Sequence, residues 1–558
     1  MSVAMMRERF AEWLSGRRPM AMQSACIRRE TTQNCKARQG STASDSSRSE
    51  QSVLGNRILC IPSLSILKDG QAWGRGTQAL KGGERPVADN GVGAGEQFED
   101  EFEDEYESED EVLEAGVDGR PDEEREAEEK ASGAMDIDRE TFIPGRHKLD
   151  AGQTLAPDLS TYEMLHTLEP TWPCLSFDIV RDSLGDNRKS YPATVYAVAG
   201  TQAARGRERE NQIMVMKLSG LSRNDQAGNI DSDDEDDDEV DNTDPILETK
   251  SIPLTSTTNR IRAHQSPQPS SSTPATTLTA SMQESGDVLI HDVTLYLTSF
   301  DTPGYQVPTT ASKTLSTIRA HKKNEGYALD WSPLAPAGRL LTGDTAGSIF
   351  ATSRTEGGGF VTDTTAYTGH TSSIEELQWS PNERNVFASA SSDGTVRIWD
   401  ARSKSRKHAI SVKVSESDAN VLSWSHQTPH LLASGHDDGT WSVWDLRQWK
   451  SPDTAAKSKP VAHFDFHKEQ ITSLEWHPAD DSIVSVCAGD STLTLWDLAV
   501  ELDDEESRYT ADVKDVPPQL LFVHFMEGVK EAHWHPQMLG SVMATGGSGF
   551  GVFKTISV

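Results

Sequence analysis

Residues Gly369–Arg402 read GHTSSIEELQWSPNERNVFASASSDGTVRIWDAR. Three short runs rich in apolar residues, Ser373–Trp379, Val386–Ala390 and Thr395–Trp399, are separated by Ser380-Pro381 and by Ser392-Asp393-Gly394. Runs of this length predict strands buried on one or both faces. Asp-Gly supplies a tight turn between the second and third, because glycine tolerates positive φ. The stretch therefore reads as one blade of a β-propeller.

The same stretch is a ruler for the rest of the chain. From His370 to Asp400 is 30 residues, and the step recurs from His467 to Asp497 and from His524 to Lys554, where Phe553-Lys554 replaces Trp-Asp. His264 to Asp292 spans 28 residues, and His321 opens another unit through Trp331-Ser332-Pro333. Ile410–Asp445 lacks the entry Gly-His but keeps Asp438-Gly439 and Trp444-Asp445, and the early runs within Thr194–Leu218 complete a count of seven. Seven blades close a ring, and closure removes exposed sheet edges. The expected fold is all-β, a seven-bladed propeller over 186–558.

The Gly-His entries and Trp-Asp exits resemble the WD-repeat family. That resemblance implies a hydrogen-bonded tetrad of His370, Ser389, Asp393 and Trp399 inside the blade. Its parts recur in neighbouring repeats, so the set reads as structural and not as a catalytic triad. Upstream, within LAPDLSTYEMLHTLEPTW (Leu155–Trp172), Asp158 or Ser160 can cap a helix whose stripe is Tyr162, Met164, Leu165 and Leu168, with Pro170 stopping it. A docking unit over 151–185 is expected from this helix and the strand Cys174–Val180. The order YEMLHTLEPTWPCLSFDIV followed by AGTQA resembles the histone-binding subfamily of WD proteins. Within it, the Glu-rich entry segment and the ending HFMEGVKEAHWHP…GFGVFKTISV resemble the glutamate-rich WD-repeat family, the ribosome-assembly regulators of fungi. The likeness covers about residues 96 to 558. Residues 1–95, rich in Arg, Ser and Gly, read as a disordered or mispredicted extension.

Charge is concentrated. The net formal charge of the 558-residue chain is −34. Glu96–Glu129 carries 19 acidic and 2 basic residues, and Asp231–Asp244 carries 10 acidic and no basic ones. These two tracts hold −27 of the total, so the remainder is nearly neutral. The first tract, within a disordered 96–150 region, places Phe98, Phe102 and Tyr106 four residues apart among Glu99, Asp100, Glu101, Glu103, Asp104 and Glu105. Such a segment can fold onto a basic, partly apolar partner. The second is expected as a loop on the disc surface between the first and second blades, with Asp231, Asp233, Asp234, Glu235, Asp236, Asp237 and Asp238 as client-binding acids. Phosphate repels such tracts, which argues against nucleic acid as a direct ligand. Ser108 and Ser232, each followed by three acidic residues, fit acidophilic phosphorylation.

No phosphate-binding loop, nucleophile elbow or HExxH helix is present, so an enzyme is not expected and no catalytic residue is assigned. The five cysteines (Cys26, Cys35, Cys60, Cys174 and Cys487) form no CxxC pair, and His533 and His535 lack further ligands nearby in sequence. No cofactor or metal is expected. No apolar run reaches the roughly 20 residues a membrane span requires. The resemblance implies a monomeric escort of a basic client in the nucleus and nucleolus, also meeting it in the cytoplasm. That client is large ribosomal subunit protein three, with core histones as a second type and pre-ribosomal particles as indirect partners. Two other readings share the fold. Asp400-Ala401-Arg402 and Asp445-Leu446-Arg447 match the WDxR pattern of cullin-four substrate receptors, with Arg402 and Arg447 as the adaptor contacts. A scaffold subunit of a chromatin complex is the third.

Overall fold

A computed structural model of the chain describes residues 65–68, 153–224, 244–266, 276–449, 458–500 and 516–558. Residues 157–558 form the propeller unit, and the short strands Ser65–Lys68 and Gln153–Ala156 pair antiparallel in a unit of their own. The propeller has seven four-stranded antiparallel sheets. Blade 1 contains Cys174–Val180, Ala193–Thr201, Gln212–Leu221 and Ile246–Pro253, and blade 4 contains Ile374–Trp379, Val386–Ser391, Thr395–Asp400 and Ile410–Lys413. The strands expected from sequence in these two blades thus lie within one or a few residues of the observed ones. Gly394 sits at φ +71°, and a Cβ there would come within 2.6 Å of the Ser415 carbonyl, so this turn demands glycine.

The expected tetrad forms. His370 Nδ1 lies 2.9 Å from Asp393, His370 Nε2 lies 2.7 Å from Ser389 Oγ, and Trp399 Nε1 donates to the same Oγ at 2.8 Å. Blade 6 repeats it with Thr494 in place of serine, linking His467, Asp490 and Trp496. In blade 3, His321 joins Asp344 and Thr342. His264 does not play this part, although its 28-residue spacing suggested a blade entry. It lies within the innermost strand of blade 2, Thr258–Gln265, where it stacks on Trp331 at 5.1 Å.

The N-terminal helix is replaced by a strand. After a single 3-10 turn at Leu159–Thr161, Tyr162–Leu168 runs extended and pairs antiparallel with Gly549–Thr555 as the fourth strand of blade 7. The last repeat supplies only three strands, Glu531–Trp534, Ser541–Gly546 and Gly549–Thr555, so an open edge awaits this one. Both faces of the strand are covered. Met164 and Leu168 pack into the core shared with blade 1, while Tyr162 and Leu165 pack against residues of blades 6 and 7. A register irregularity between Tyr162 and Met164 breaks strict alternation, so the apolar positions imitate a helical stripe. Pairing with an open edge outweighs that local pattern.

Tyr162 locks the joint. Its ring is 2% exposed, its hydroxyl lies 2.9 Å from His524 Nδ1, and it meets Phe522 edge-on at 5.1 Å. Lys554 and Glu163 pair across the two strands at 2.9 Å. Burial holds the Tyr162 phenol above its usual range and pushes the His524 imidazole down to about 4, so a neutral pair shares one proton in this bond. Tyr162→Phe should cost about 1–3 kcal/mol by stranding the buried imidazole nitrogen, and Tyr162→Ala about 3–5 kcal/mol by emptying the site. Denaturant titrations of the full chain measure both. Equal stability of Tyr162→Ala and wild type would contradict a closing role for this strand.

Candidate functional site

Two features single out parts of the ring: its channel and one of its faces. In the channel, the innermost strands are stitched blade to blade by side chains that accept a backbone N–H from the next strand. Asp178 accepts from Ala263 at 2.7 Å, Asp330 from Trp379 at 2.7 Å and Gln378 from Trp424 at 2.6 Å. Ser423 accepts from Trp476 at 3.2 Å, Glu475 from Trp534 at 3.3 Å, and Glu531 from Phe177 at 2.9 Å to close the circle. The joint between blades 2 and 3 uses Trp331 Nε1 donating to the Arg262 carbonyl instead. Four of these acceptors directly precede a tryptophan (Asp330, Gln378, Ser423 and Glu475). That recurrence is a signal the blade spacing alone did not expose.

Within this belt lies a charged network around a cavity of about 220 Å³. Arg260 pairs with Glu376 at 3.0 Å and with Glu531 at 2.7 Å, and Arg262 pairs with Glu531 at 2.7 Å. His533 sits 2.9 Å from Glu475 and 3.6 Å from Glu531. Burial alone pushes the His533 imidazole down, but Glu475 and Glu531 outweigh it and hold it up at about 10. It is a fixed cation wedged between two blades. His535 turns away from it and accepts the Gln537 and Met538 N–H groups within a turn. The pair is thus divided between channel and turn, and no metal-holding group of His, Cys, Asp or Glu occurs among the described residues.

The face follows from topology. In an up-and-down blade the links between strands one and two, and three and four, lie on one side, and the other links lie opposite. Residues 225–243 fall between the third and fourth strands of blade 1, Gln212–Leu221 and Ile246–Pro253, not between blades 1 and 2 as expected. The helix α1, Thr294–Asp301, fills the same link of blade 2. The chain enters on that side too, because Tyr162 pairs with Thr555 at the end of the third strand of blade 7. Arg402 and Arg447 also stand there, just after the third strands of blades 4 and 5. Each forks onto its own repeat's aspartate at 2.8–2.9 Å, Asp400 and Asp445, and leaves more than half of its side chain exposed.

One corner of that face gathers the roots of the acid. Asn224 precedes the stretch containing Asp231–Asp238; its N–H donates to the Glu163 carbonyl at 2.8 Å and its Nδ2 to the Leu159 carbonyl at 3.2 Å. His166 Nε2 donates to the Ser222 carbonyl at 2.9 Å. The start of the second tract is therefore bonded to the strand by which the N-terminal segment enters the ring. Phe98 through Tyr106, Asp231 through Asp238, Ser108 and Ser232 themselves lie outside the described residues.

The His533 cation gives the belt a pH signature. Its folded-state pKa of about 10 lies above the ordinary value near 6.5. Its stabilisation is therefore fully present below about pH 6.5, declines as pH rises, and is gone above about pH 10. The difference in unfolding midpoint between wild type and His533→Gln should narrow steadily across that window. A constant difference would mean that the ring is not charged in the fold.

Comparison with known proteins places this geometry in a lineage. Residues 152–222 match the family model of histone-binding protein RBBP4 and its counterpart in the CAF1 complex, and residues 362–400 and 458–497 match the WD domain, G-beta repeat. The first match thus spans the closing strand, three strands of blade 1 and Ser222. The chain is 45% identical to ribosome assembly protein rrb1 of Schizosaccharomyces pombe, over 84% of this chain and 95% of that protein. It is 40% identical to protein HEAT STRESS TOLERANT DWD 1 of Arabidopsis thaliana, over 78% and 95% of the two chains. It is 38% identical to glutamate-rich WD repeat-containing protein 1 of Dictyostelium discoideum, over 75% and 85%. With a relative this similar covered almost end to end, the chain belongs to the family of ribosome assembly protein rrb1 and glutamate-rich WD repeat-containing protein 1.

Proposed function

We propose that this protein is a non-enzymatic ribosome-assembly factor that escorts a newly made, Lys- and Arg-rich protein to the large subunit. The observation that carries this reading is the bonding of Ser222 and Asn224, at the root of the second acidic tract, to the entry strand. Two polyanionic segments tethered to one closed ring hold a high local concentration of carboxylates on one face, and a basic client meets both at once. The name of the Schizosaccharomyces relative supports the ribosomal setting. Large ribosomal subunit protein three is the proposed client, core histones are a second type, and pre-ribosomal particles are reached through the client. Nucleus and nucleolus are the proposed working compartments, with the cytoplasm as the place of first encounter. Phosphorylation of Ser108 and Ser232 would add about −1.5 to −2 each and strengthen capture.

A second reading, a substrate receptor for a cullin-four ubiquitin ligase, draws on Arg402 and Arg447 standing exposed on adjacent blades of the same face. Arg402→Ala combined with Arg447→Ala tests it, because the adaptor should then be lost from purified complexes. The escort reading predicts instead that this double variant keeps its basic client. It further predicts that deleting Glu96–Glu129 together with Asp231–Asp244 abolishes client recovery, measured by affinity purification with mass spectrometry at physiological salt. Undiminished client on the double deletion would overturn the escort reading.

A further inference from the structure

We infer that the seam between blades 7 and 1, on the face where the chain enters, is an apolar anchor for the same basic partner. It would seat aliphatic or aromatic side chains of a Lys/Arg-rich segment while the acidic tracts neutralise its charge. This inference rests on the escort reading and specifies the chemistry of its partner.

Nine large hydrophobic residues are exposed among the described residues, and five of them gather here: Leu159, Leu184, Ile246, Leu539 and Ile556, at 36% to 57% exposure. Continuity can be followed bond by bond. Gln537 ties the link carrying Leu184 to the link carrying Leu539, accepting from Asp182 N–H at 2.8 Å and donating to the Asp182 and Gly185 carbonyls. Gly540, beside Leu539, lies so close to the Val558 carbonyl that a Cβ would come within 2.7 Å of it. Ile556 N–H donates to the Thr161 carbonyl, and the Leu159 carbonyl accepts from Asn224. At the far end of the link that carries the second acidic tract, Ile246 opens the fourth strand of blade 1 two residues after Asp244. An apolar patch of this kind on the outside of a ring marks an interaction surface.

Charge selects the occupant. The cations of the seam are already engaged locally, Arg181 with Asp186 at 2.7 Å, Arg188 with Asp182 at 2.8 Å and Lys554 with Glu163 at 2.9 Å. The ten acidic residues of Asp231–Asp244 join the ring at this corner. The uncompensated field there is negative, which repels a second copy of this acidic chain and favours a segment that is both basic and apolar. Polyanion alone holds any basic chain, whereas an apolar seat discriminates by shape.

The test uses the full chain and two fluorescein-labelled 20-residue Lys/Arg-rich peptides, one with two central leucines and one with serines in their place. At physiological salt, fluorescence anisotropy should show the leucine peptide bound at least roughly tenfold more tightly, as expected for burying one to two leucines. The triple variant Leu184→Ser, Leu539→Ser, Ile556→Ser should bind both peptides alike, with an unchanged thermal melt. The conservative set Leu184→Met, Leu539→Met, Ile556→Val should keep the preference. Deleting both acidic tracts should weaken both peptides without changing their ratio. If the folded serine variant retains the preference, or wild type shows none, the seam is not the anchor while the escort reading stands. If wild type binds neither peptide, both fall. A change in sedimentation of the serine variant alone would assign the seam to self-association and overturn the inference.

Discussion

The fold depends on one pairing between segments at opposite ends of the propeller sequence. Tyr162–Leu168 completes the sheet begun by the last three strands of the chain. Without it blade 7 would be three-stranded with a free edge, and the ring would lose the wall shared by blades 6, 7 and 1. The contacts that secure it act on several levels: backbone pairing with Gly549–Thr555, burial of Met164 and Leu168, the Tyr162–His524 bond and the Lys554–Glu163 pair. Because the closing strand comes from the N-terminal side, ring closure also decides where the upstream chain leaves the disc. Closure and the placement of the first acidic tract's tether are one structural event.

The belt around the channel complements this closure from inside. Each innermost strand is nearly saturated on its sheet side and needs its remaining amide satisfied across the blade joint. Asp, Gln, Ser and Glu side chains do this at six joints. Glu531 carries the heaviest load, accepting from Phe177 N–H and both Arg260 and Arg262 while facing His533. Buried ion pairs contribute modest net stability but penalise any arrangement that leaves one partner alone. A network joining Arg260 of blade 2 to Glu376 of blade 4 and Glu531 of blade 7 therefore favours one ring size over neighbours with fewer or more blades. The opposite face has short links, and the insertions crowd the entry side, so function is concentrated where tolerance to added chain is greatest.

Much of this was legible in the sequence, because blade physics is local. Strand length, turn glycines and the 30-residue step come from contacts within one repeat, and the His370–Ser389–Asp393–Trp399 tetrad follows from them. The misreadings share one cause. Tyr162, Met164, Leu165 and Leu168 resemble a helical stripe because the strand is buried on both sides and interrupted at its start, a condition imposed by a partner strand far away. Asp231–Asp244 was set between blades because Ile246–Pro253 has little apolar patterning, being an outer strand with mostly exposed side chains. His264 matched a spacing but not a position. The apolar seam could not be read at all, since its leucines and isoleucines come from separate links and meet only in the ring.

The central claim is that a basic client is held at the corner where entry strand and acidic root are bonded together. Hydrogen–deuterium exchange of the full chain with and without bound client tests it most directly. The account predicts added protection at residues 159–166, 181–188, 219–224, 244–249 and 537–558, with the tetrads of blades 3, 4 and 6 unchanged. Protection confined to the opposite face, at links such as 284–287, 392–394 and 437–440, would contradict it.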